Sequence, residues 1–265
     1  DRIASDYMPT AATKLVRLCA RLLPVAVIAN SKTTLATLTL DRGPKRARAL
    51  AAIGSPTHLA GTGRPTRARE GAEVTIGMVG RIQPWKGQDV FLRAFAAAFP
   101  QGGANAVVIG GPLFGEDVFL SELEELASSL GVAERVRFTG HLEDPYTEMD
   151  NLDVLVHASV IPEPFGQVVV EGMALGLPVV AAAAGGPAEV ITNGIDGMLC
   201  PPGDELALAG CLRRLAADPS LRERLGSAAA RTARQFAPEA IAARVEEVYK
   251  EALRARRGRR TSRLP

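Results

Sequence analysis

Residues 163–180, EPFGQVVVEGMALGLPVV, place a turn, a helix start and a strand in close succession. Phe165 and Gly166 interrupt the extended run before them, and the amides that follow are predicted to form the open first turn of a helix. Unpaired N–H groups and the helix dipole favour an anion at such a turn. Glu171 would lie about one and a half turns into the helix, where its carboxylate could accept two hydrogen bonds from a vicinal diol such as a ribose. The segment therefore predicts a phosphate-binding turn and a diol-binding acid on one element.

A second candidate turn follows the strand predicted over residues 74–79. Its apolar, β-branched residues end in Gly80, and a helix is predicted to begin near residues 86–89. Arg81 and Lys86 flank this turn, and two fixed cations there can stabilise negative charge that develops on a diphosphate leaving group. Taken alone, each motif has a simpler interpretation: a buried helix with a solvated or capping glutamate, and a surface arginine with a helix-start lysine. Together they favour a binding site for a phosphate and a diol.

Apolar strand candidates alternate with helical segments along the chain. Strands are predicted over residues 25–29, 74–79, 106–109, 136–138, 154–157 and 178–182, and helices over residues 32–40, 88–99, 119–130, 167–175, 205–216, 220–235 and 238–254. This alternation predicts an α/β fold with a Rossmann-like parallel sheet covered by helices on both faces. Ligands of such sheets bind at the carboxyl ends of the strands, which is where the two turns fall.

Composition excludes several functional classes. The chain has 265 residues, 47% of them hydrophobic, which suffices for one full core and part of a second. Its net charge of +2 provides no strong field for nucleic acid. The odd number of cysteines, without CxxC spacing, argues against disulfides or zinc: Cys19, Cys200 and Cys211. The histidines lack metal spacing and are predicted core or surface residues: His58, His141 and His157. Free thiols and the lack of a signal-peptide pattern predict a cytoplasmic protein.

The order of motifs resembles the nucleotide-sugar half of the retaining GT-B glycosyltransferases of family 4, the glycosyl transferases group 1. The Glu-x7-Glu pattern of Glu163 and Glu171 is accompanied by motifs at residues 77–87 (GMVGRIQPWKG), 107–112 (VVIGGP), 136–141 (VRFTGH) and 185–190 (GGPAEV). The resemblance covers roughly residues 74–250.

The resemblance implies transfer of a hexose-like unit from a nucleoside diphosphate sugar to a hydroxyl of a sugar, a lipid-linked molecule or another small molecule, with retention at the anomeric carbon. It implies a catalytic group of Arg81, Lys86 and Glu163, in which the cations bind the diphosphate and the glutamate binds the sugar. The resemblance also places the ribose at Glu171 and the base near His141. The full set of implied donor contacts is Gly80, His141, Leu142, Phe165, Gly166, Gln167 and Glu171. No Asp-x-Asp motif occurs, and neither a metal ion nor another cofactor is expected.

Five segments are predicted along the chain. Residues 1–43 would be a remnant of the acceptor-side domain, 44–73 a linker with at most one short helix, and 74–235 the nucleotide-sugar-binding domain. Residues 236–254 would form a helix that crosses back toward the first domain, and 255–265 a basic disordered tail. The apolar face of the crossing helix is expected to be partly unpaired, which could drive dimerisation: Ile241, Val245 and Val248. The chain is expected to be a fragment that binds a nucleotide sugar and transfers the sugar poorly or not at all.

Several alternatives remain open. The basic tail, and the basic residues beside Leu15, Leu18 and Leu22, permit weak association with the inner membrane surface, although a helix packed on its own domain explains the leucines equally well. A sugar-nucleotide epimerase with the GT-B fold and a non-catalytic nucleotide-sugar-binding module are competing functions. A nicotinamide dehydrogenase is disfavoured because Gly77 and Gly80 do not form the Gly-x-Gly-x-x-Gly turn.

Overall fold

The computed structural model describes residues 9–38, 49–59, 73–113, 115 and 117–261, with side chains described as far as residue 255. Its main body is a six-stranded parallel sheet with helices on both faces. A two-stranded parallel sheet, formed by segments that precede the main body in the chain, lies beside it. The predicted α/β fold with a Rossmann-like parallel sheet is confirmed.

Strands and helices alternate over most of the described chain. The strands are β1 Ala26–Ala29, β2 Ala49–Ala52, β3 Val74–Val79, β4 Ala104–Ile109, β5 Val136–Phe138, β6 Val154–His157, β7 Val179–Ala182 and β8 Met198–Cys200. The α-helices are α1 Thr10–Leu22, α2 Lys32–Ala36, α3 Gln88–Ala98, α4 Asp117–Ser129, α5 Tyr146–Met149, α6 Gln167–Ala174, α7 Pro187–Val190, α8 Glu205–Ala217, α9 Pro219–Ala233 and α10 Pro238–Thr261. Short 3₁₀ turns occur at Pro84–Lys86, Ala133–Arg135 and Arg234–Phe236.

The large sheet has the strand order β5-β4-β3-β6-β7-β8, and every neighbouring pair is parallel. β3 and β6 lie at its centre, and the side chains of β6 are buried on both faces. Strands covered on both faces consist of continuous β-branched and apolar runs, which is why these two are readable from the sequence. Because all the strands are parallel, their carboxyl ends meet at one edge, and the residues that follow them are brought together there.

Two apolar clusters lie on the two faces of this sheet. Val154 and Val156 of β6 join the first cluster and Leu155 joins the second, as expected for successive residues of a strand. The first cluster anchors α3, α4 and α8, and the second anchors α6, α9 and α10. Each fully buried leucine, valine or phenylalanine stabilises the fold by about 1.5–3 kcal/mol. The sheet therefore provides a rigid base for the loops at its carboxyl edge.

Two strands lie where none was predicted. β2, with the sequence ALAA, lies within the predicted linker and pairs with β1 from Ala26↔Ala49 to Ala29↔Ala52. β8, with the sequence MLC, extends the edge of the large sheet by pairing with β7. Both strands are short, and neither contains a β-branched residue. Their extended conformation therefore comes from pairing with a neighbouring strand rather than from local propensity. The predicted linker over residues 44–73 is therefore wrong at β2, and residues 60–72 lie outside the described residues.

The last helix is longer than predicted. α10 continues to Thr261, so the disordered tail predicted over residues 255–265 is wrong for residues 255–261. Alanine and arginine are good helix formers, and extending a helix is easier than starting one. Residues 262–265 lie outside the described residues.

α10 also packs its apolar face. Ile241 is 7% exposed, and Val245 and Val248 are half-buried against the second cluster. The helix contacts β1 and β2, and the Arg244 guanidinium donates a hydrogen bond to the Ala52 carbonyl at 3.0 Å. Of the face predicted to be partly unpaired, Ile241 is therefore covered by the described residues, whereas Val245 and Val248 are covered only in part. Dimerisation through this face stays a prediction.

Besides α10, Glu189 of α7 also links the small sheet to the large one. Its carboxylate accepts hydrogen bonds from the backbone N–H groups of Lys32 and Thr33 at 2.8 and 2.6 Å, and from the Thr33 hydroxyl at 2.7 Å. These N–H groups open α2 and have no partner within that helix, so a carboxylate stabilises them. The small sheet is thus held against the loop that follows β7.

The leucines of α1 face outward in the described structure. Leu15, Leu18 and Leu22 are 60%, 52% and 42% exposed. Within the described residues, no helix combines the length and the apolar composition that crossing a bilayer requires. Association with a membrane surface stays a prediction.

Candidate functional site

The loops after β3, β4 and β5 touch one another at the carboxyl edge of the large sheet. The N–H of Gly80 donates a hydrogen bond to the Ile109 carbonyl at 2.9 Å. Gly110, which follows Ile109, forms an antiparallel bridge with Gly140. His141 comes next in the chain. Gly80 and His141, both predicted donor contacts, therefore lie on one continuous surface.

Lys86 and Glu163 meet at this edge although 77 residues separate them in the sequence. Lys86 ends the 3₁₀ turn after β3, and its ammonium group donates a hydrogen bond to Oε1 of Glu163. The ammonium also lies 4.4 Å from the ring centroid of Trp85, in a cation–π contact. The two paired side chains are 17% and 9% exposed, so water screens them little. The cation predicted for the diphosphate and the acid predicted for the sugar thus form one ion pair.

The other carboxylate oxygen of Glu163 has a separate partner. Nε2 of His157, the last residue of β6, lies 2.6 Å from Oε2 of Glu163 and 3.2 Å from the Ser159 hydroxyl. The His157 side chain is 5% exposed. The sequence alone predicts only a core or surface role for this histidine. Its contact with Glu163 makes it part of the site.

The surroundings of Glu163 set its charge. Burial on its own raises the pKa of Glu163, but the hydrogen bonds and positive charges of His157 and Lys86 outweigh it and lower that pKa from 4.5 to about 2. The carboxylate is therefore ionised at neutral pH and is a weak base. A weak base removes protons poorly, so its chemistry here is to accept hydrogen bonds and orient the groups that donate them.

Arg81 lies on the exposed side of the same turn. Its guanidinium donates a hydrogen bond to the Gln83 side chain at 3.0 Å, while its carbonyl accepts one from the buried Gln88 side chain at 2.7 Å. The Arg81 backbone is therefore fixed and its charged end faces outward. Within the described residues, Arg81 does not contact Lys86 or Glu163. The structure brings together two of the three predicted catalytic residues.

The turn before α6 has the predicted shape. Gly166 has a φ of 82°, a left-handed conformation that favours glycine, and α6 begins at Gln167. A Cβ at position 166 would lie 2.7 Å from the Pro187 side chain. Phe165 is 5% exposed and packs edge-on against Phe236, with ring centroids 5.5 Å apart. The Phe165 side chain therefore belongs to the core, and only its backbone is available to a ligand.

Glu171 lies in α6 with part of its carboxylate unused. Oε1 accepts hydrogen bonds from the Tyr146 hydroxyl and the Gln167 amide, both at 3.3 Å, and no donor among the described residues reaches Oε2. Burial raises the pKa of Glu171, and the hydrogen bonds from Gln167 and Tyr146 and the nearby His58 offset only part of that rise. A half-buried carboxylate with an unused oxygen is suited to accept hydrogen bonds from a diol.

Two aromatic rings stand beside Glu171. The rings of Tyr146 and His58 meet edge to face with centroids 5.2 Å apart. The Gln167 amide lies 3.2 Å from the Pro56 carbonyl and donates a hydrogen bond to it. The segment after β2 therefore forms a wall of the site, which sequence analysis did not predict.

The remaining predicted contacts differ in their surroundings. His141 is exposed at the carboxyl edge, whereas Leu142 is half-buried against the second apolar cluster. The described part of the chain contains no group of three or more His, Cys, Asp or Glu side chains that could hold a metal ion.

Gly87 fixes the chain between Lys86 and α3. Its φ is 78°, and a Cβ there would lie 2.2 Å from the Ala158 carbonyl oxygen. We expect Gly87→Ala to lower the free energy of unfolding by about 2 kcal/mol or more, measured by urea denaturation. Gly210→Ala is the matched control, because a Cβ in that helix meets nothing, and it should leave stability unchanged or raise it by about 0.5–1 kcal/mol. Equal effects of the two substitutions would contradict this reading of Gly87.

The fold is that of the GT-B glycosyltransferases. Anabaena HepE, solved in complex with UDP and glucose, superposes with a TM-score of 0.82 at 30% identity, over 94% of this chain and 69% of HepE. The HepE complex with UDP superposes with a TM-score of 0.85 at 29% identity, over 95% of this chain and 70% of HepE.

Curated relatives indicate the same class. The D-inositol 3-phosphate glycosyltransferase of Streptomyces avermitilis is 36% identical over 215 residues, which are 74% of this chain and 46% of that protein. The chain therefore spans about half the length of the curated relatives it matches. The family of glycosyl transferases group 1 matches residues 64–232, and this chain belongs to it.

Proposed function

We propose that this chain binds a nucleoside diphosphate sugar at the carboxyl edge of the large sheet, as the donor-binding part of a glycosyltransferase. The enzyme would transfer a hexose-like unit to an acceptor hydroxyl, with retention at the anomeric carbon. The observation that carries the proposal is the ion pair between Lys86 and Glu163. It joins a cation suited to a diphosphate with an acid suited to sugar hydroxyls.

The proposed diphosphate position lies between the turn after β3 and the start of α6. The Lys86 ammonium would exchange its contact with Glu163 for the phosphate oxygens, and the exposed Arg81 guanidinium could turn toward the same group. The first N–H groups of α6 add unpaired donors. These groups would stabilise the charge that the diphosphate gains as its bond to the sugar breaks. Because side chains and amides supply this positive charge, we expect no metal requirement.

The proposed nucleoside position lies beside Glu171. Its carboxylate would accept hydrogen bonds from both ribose hydroxyls, using the oxygen that no described residue occupies. Tyr146 and His58 would flank the ribose, and His141 would contact the base. UDP is the first nucleotide to test, since the similar HepE structures contain it.

Glu163 would accept hydrogen bonds from hydroxyls of the transferred sugar. With a pKa of about 2 it is a poor general base, so it would hold the sugar rather than activate an acceptor.

Calorimetry with UDP, GDP, ADP and their glucose conjugates, in the presence of EDTA, tests the proposal. We expect one nucleotide to bind with a stoichiometry of one and to be displaced by its sugar conjugate. Purified full-length protein is then assayed for sugar transfer. The first acceptor to test is a phosphorylated polyol, because curated relatives are named D-inositol 3-phosphate glycosyltransferases. Failure of every nucleotide to bind would contradict the proposal. Conversion of the sugar nucleotide without an acceptor would instead indicate an epimerase.

Replacement of Glu171 tests the ribose contact. Glu171→Gln keeps the shape of the side chain but removes its charge, so UDP and UDP-glucose should bind about tenfold more weakly, as expected for the loss of a charged hydrogen bond. Inorganic diphosphate, which has no ribose, serves as the control ligand, and calorimetry should show its affinity unchanged. An equal loss for diphosphate would indicate a folding defect, and no loss for UDP would place Glu171 outside the site.

A further inference from the structure

His157 is buried at the centre of the large sheet. It ends β6 and pairs with Ala181 of β7, and its side chain is 5% exposed. Nε2 has two oxygen neighbours, the Glu163 carboxylate at 2.6 Å and the Ser159 hydroxyl at 3.2 Å. Nδ1 is buried and has no partner among the described residues. The ionised Glu163 carboxylate can only accept, so its 2.6 Å contact with Nε2 requires that Nε2 carry a proton.

The proton on Nε2 makes His157 a donor to Glu163. The backbone of Glu163 is also held, because its carbonyl accepts a hydrogen bond from the N–H of Gly186 at 2.9 Å. Only the carboxylate end can move, and each of its oxygens has its own donor, Lys86 on Oε1 and His157 on Oε2. The two donors differ in freedom. Lys86 is carried by a flexible stem and is 17% exposed, whereas the ring of His157 is enclosed in the sheet.

We propose that His157 is a positioning residue for Glu163: it holds Oε2 when Lys86 leaves Oε1 for the diphosphate, so that Oε1 becomes available to a sugar hydroxyl without rotation of the carboxylate. The inference rests on the proposed donor site. It assigns the sugar-binding orientation of Glu163 to a side chain that touches neither the nucleotide nor the sugar.

Two variants separate this role from simple packing. His157→Gln can place an amide N–H near the position of Nε2, whereas His157→Phe keeps a ring of similar size without any donor. The affinities of each variant for UDP and for UDP-glucose are measured by calorimetry. The informative quantity is the ratio of the two dissociation constants, because a packing defect changes both affinities together.

In His157→Phe, the ratio of the UDP-glucose to the UDP dissociation constant should rise about tenfold, while UDP itself binds within about twofold of the wild type. His157→Gln should restore most of the ratio. An unchanged ratio in His157→Phe would overturn the role of His157 and leave the donor site intact. Failure of the wild type to bind either ligand would instead contradict the donor site itself, and this inference with it.

Nitrogen NMR of 15N-histidine-labelled protein provides a readout that needs no ligand. The resonances missing from His157→Gln identify His157, and they should show a proton on Nε2. Glu163→Gln should shift the Nε2 resonance, because it replaces the acceptor of that N–H. An Nε2 without a proton, or no response to Glu163→Gln, would overturn the proposal.

Discussion

Replacing Lys86 with alanine is expected to weaken the binding of UDP and UDP-glucose about 10- to 100-fold, the effect of losing a hydrogen bond between charged groups. The loss should extend to inorganic diphosphate, because the Lys86 ammonium is proposed to contact only phosphate oxygens. It has a second cause as well. Without Lys86, the ionised Glu163 stays buried next to the diphosphate with His157 as its remaining partner, and like charges repel.

Lys250→Ala is the matched control for this prediction. Lys250 lies on α10 and pairs with Glu246 and Glu247 at 3.0 Å, on a part of the surface that contributes nothing to the strand-edge site. Calorimetry should show its affinity for UDP within about twofold of the wild type. Thermal unfolding of each variant distinguishes lost binding from lost folding. Unchanged affinity in folded Lys86→Ala would remove Lys86 from the donor site.

Glu163→Gln is expected to lower the free energy of unfolding by roughly 3 kcal/mol near pH 7. In acid, this difference between the variant and the wild type should disappear. The carboxylate has its pKa lowered from 4.5 to about 2 in the folded protein. Its contribution to stability is therefore present above pH 4.5 and disappears as the pH falls toward 2. The stability curves of wild type and variant should accordingly converge in acid, as measured by urea denaturation at a series of pH values.

A surface ion pair provides the comparison. Glu148 pairs with Arg137 at 2.6 Å, but the arginine side chain is 57% exposed. Exposed pairs of this kind are worth about 0–1 kcal/mol, so Glu148→Gln should have a small effect. A Glu163→Gln curve parallel to the wild type across the acid range would show that the Lys86 and His157 contacts do not depress the pKa of Glu163 in solution.

Three strands have the bounds predicted from the sequence, two at the centre of the large sheet and one at its edge. β3, β5 and β6 have the predicted bounds, and β3 and β6 are apolar or β-branched runs at the centre of the sheet. β2 and β8 escape prediction because their strand geometry comes from pairing with a neighbour distant in the chain. The covered face of α10 could not be predicted for the same reason, since it depends on contacts with β1, β2 and the second apolar cluster.

In the candidate site, too, local features can be predicted from the sequence, whereas contacts between distant segments cannot. Local sequence identified Lys86, Glu163 and Glu171 as the polar residues at turn and helix starts, where ligands bind. It could not indicate that Lys86 and Glu163 pair with each other, nor that His157 is the second donor to Glu163. A lone histidine at a strand end is more often a core residue than part of a binding site. Only its neighbour in the folded structure, here Glu163, distinguishes these two roles. Tyr146 and His58 come from segments without a predicted element, so their meeting beside Glu171 had no local signal.

A crystal structure of this chain with UDP-glucose tests the central claim most directly. We expect the diphosphate between the turn after β3 and the start of α6, with the Lys86 ammonium about 3 Å from a phosphate oxygen and no longer on Glu163. Both ribose hydroxyls should donate to Glu171, and a sugar hydroxyl should donate to the freed Oε1 of Glu163. A nucleotide bound on another surface, or one bound at this edge while Lys86 remains paired with Glu163, would contradict the account.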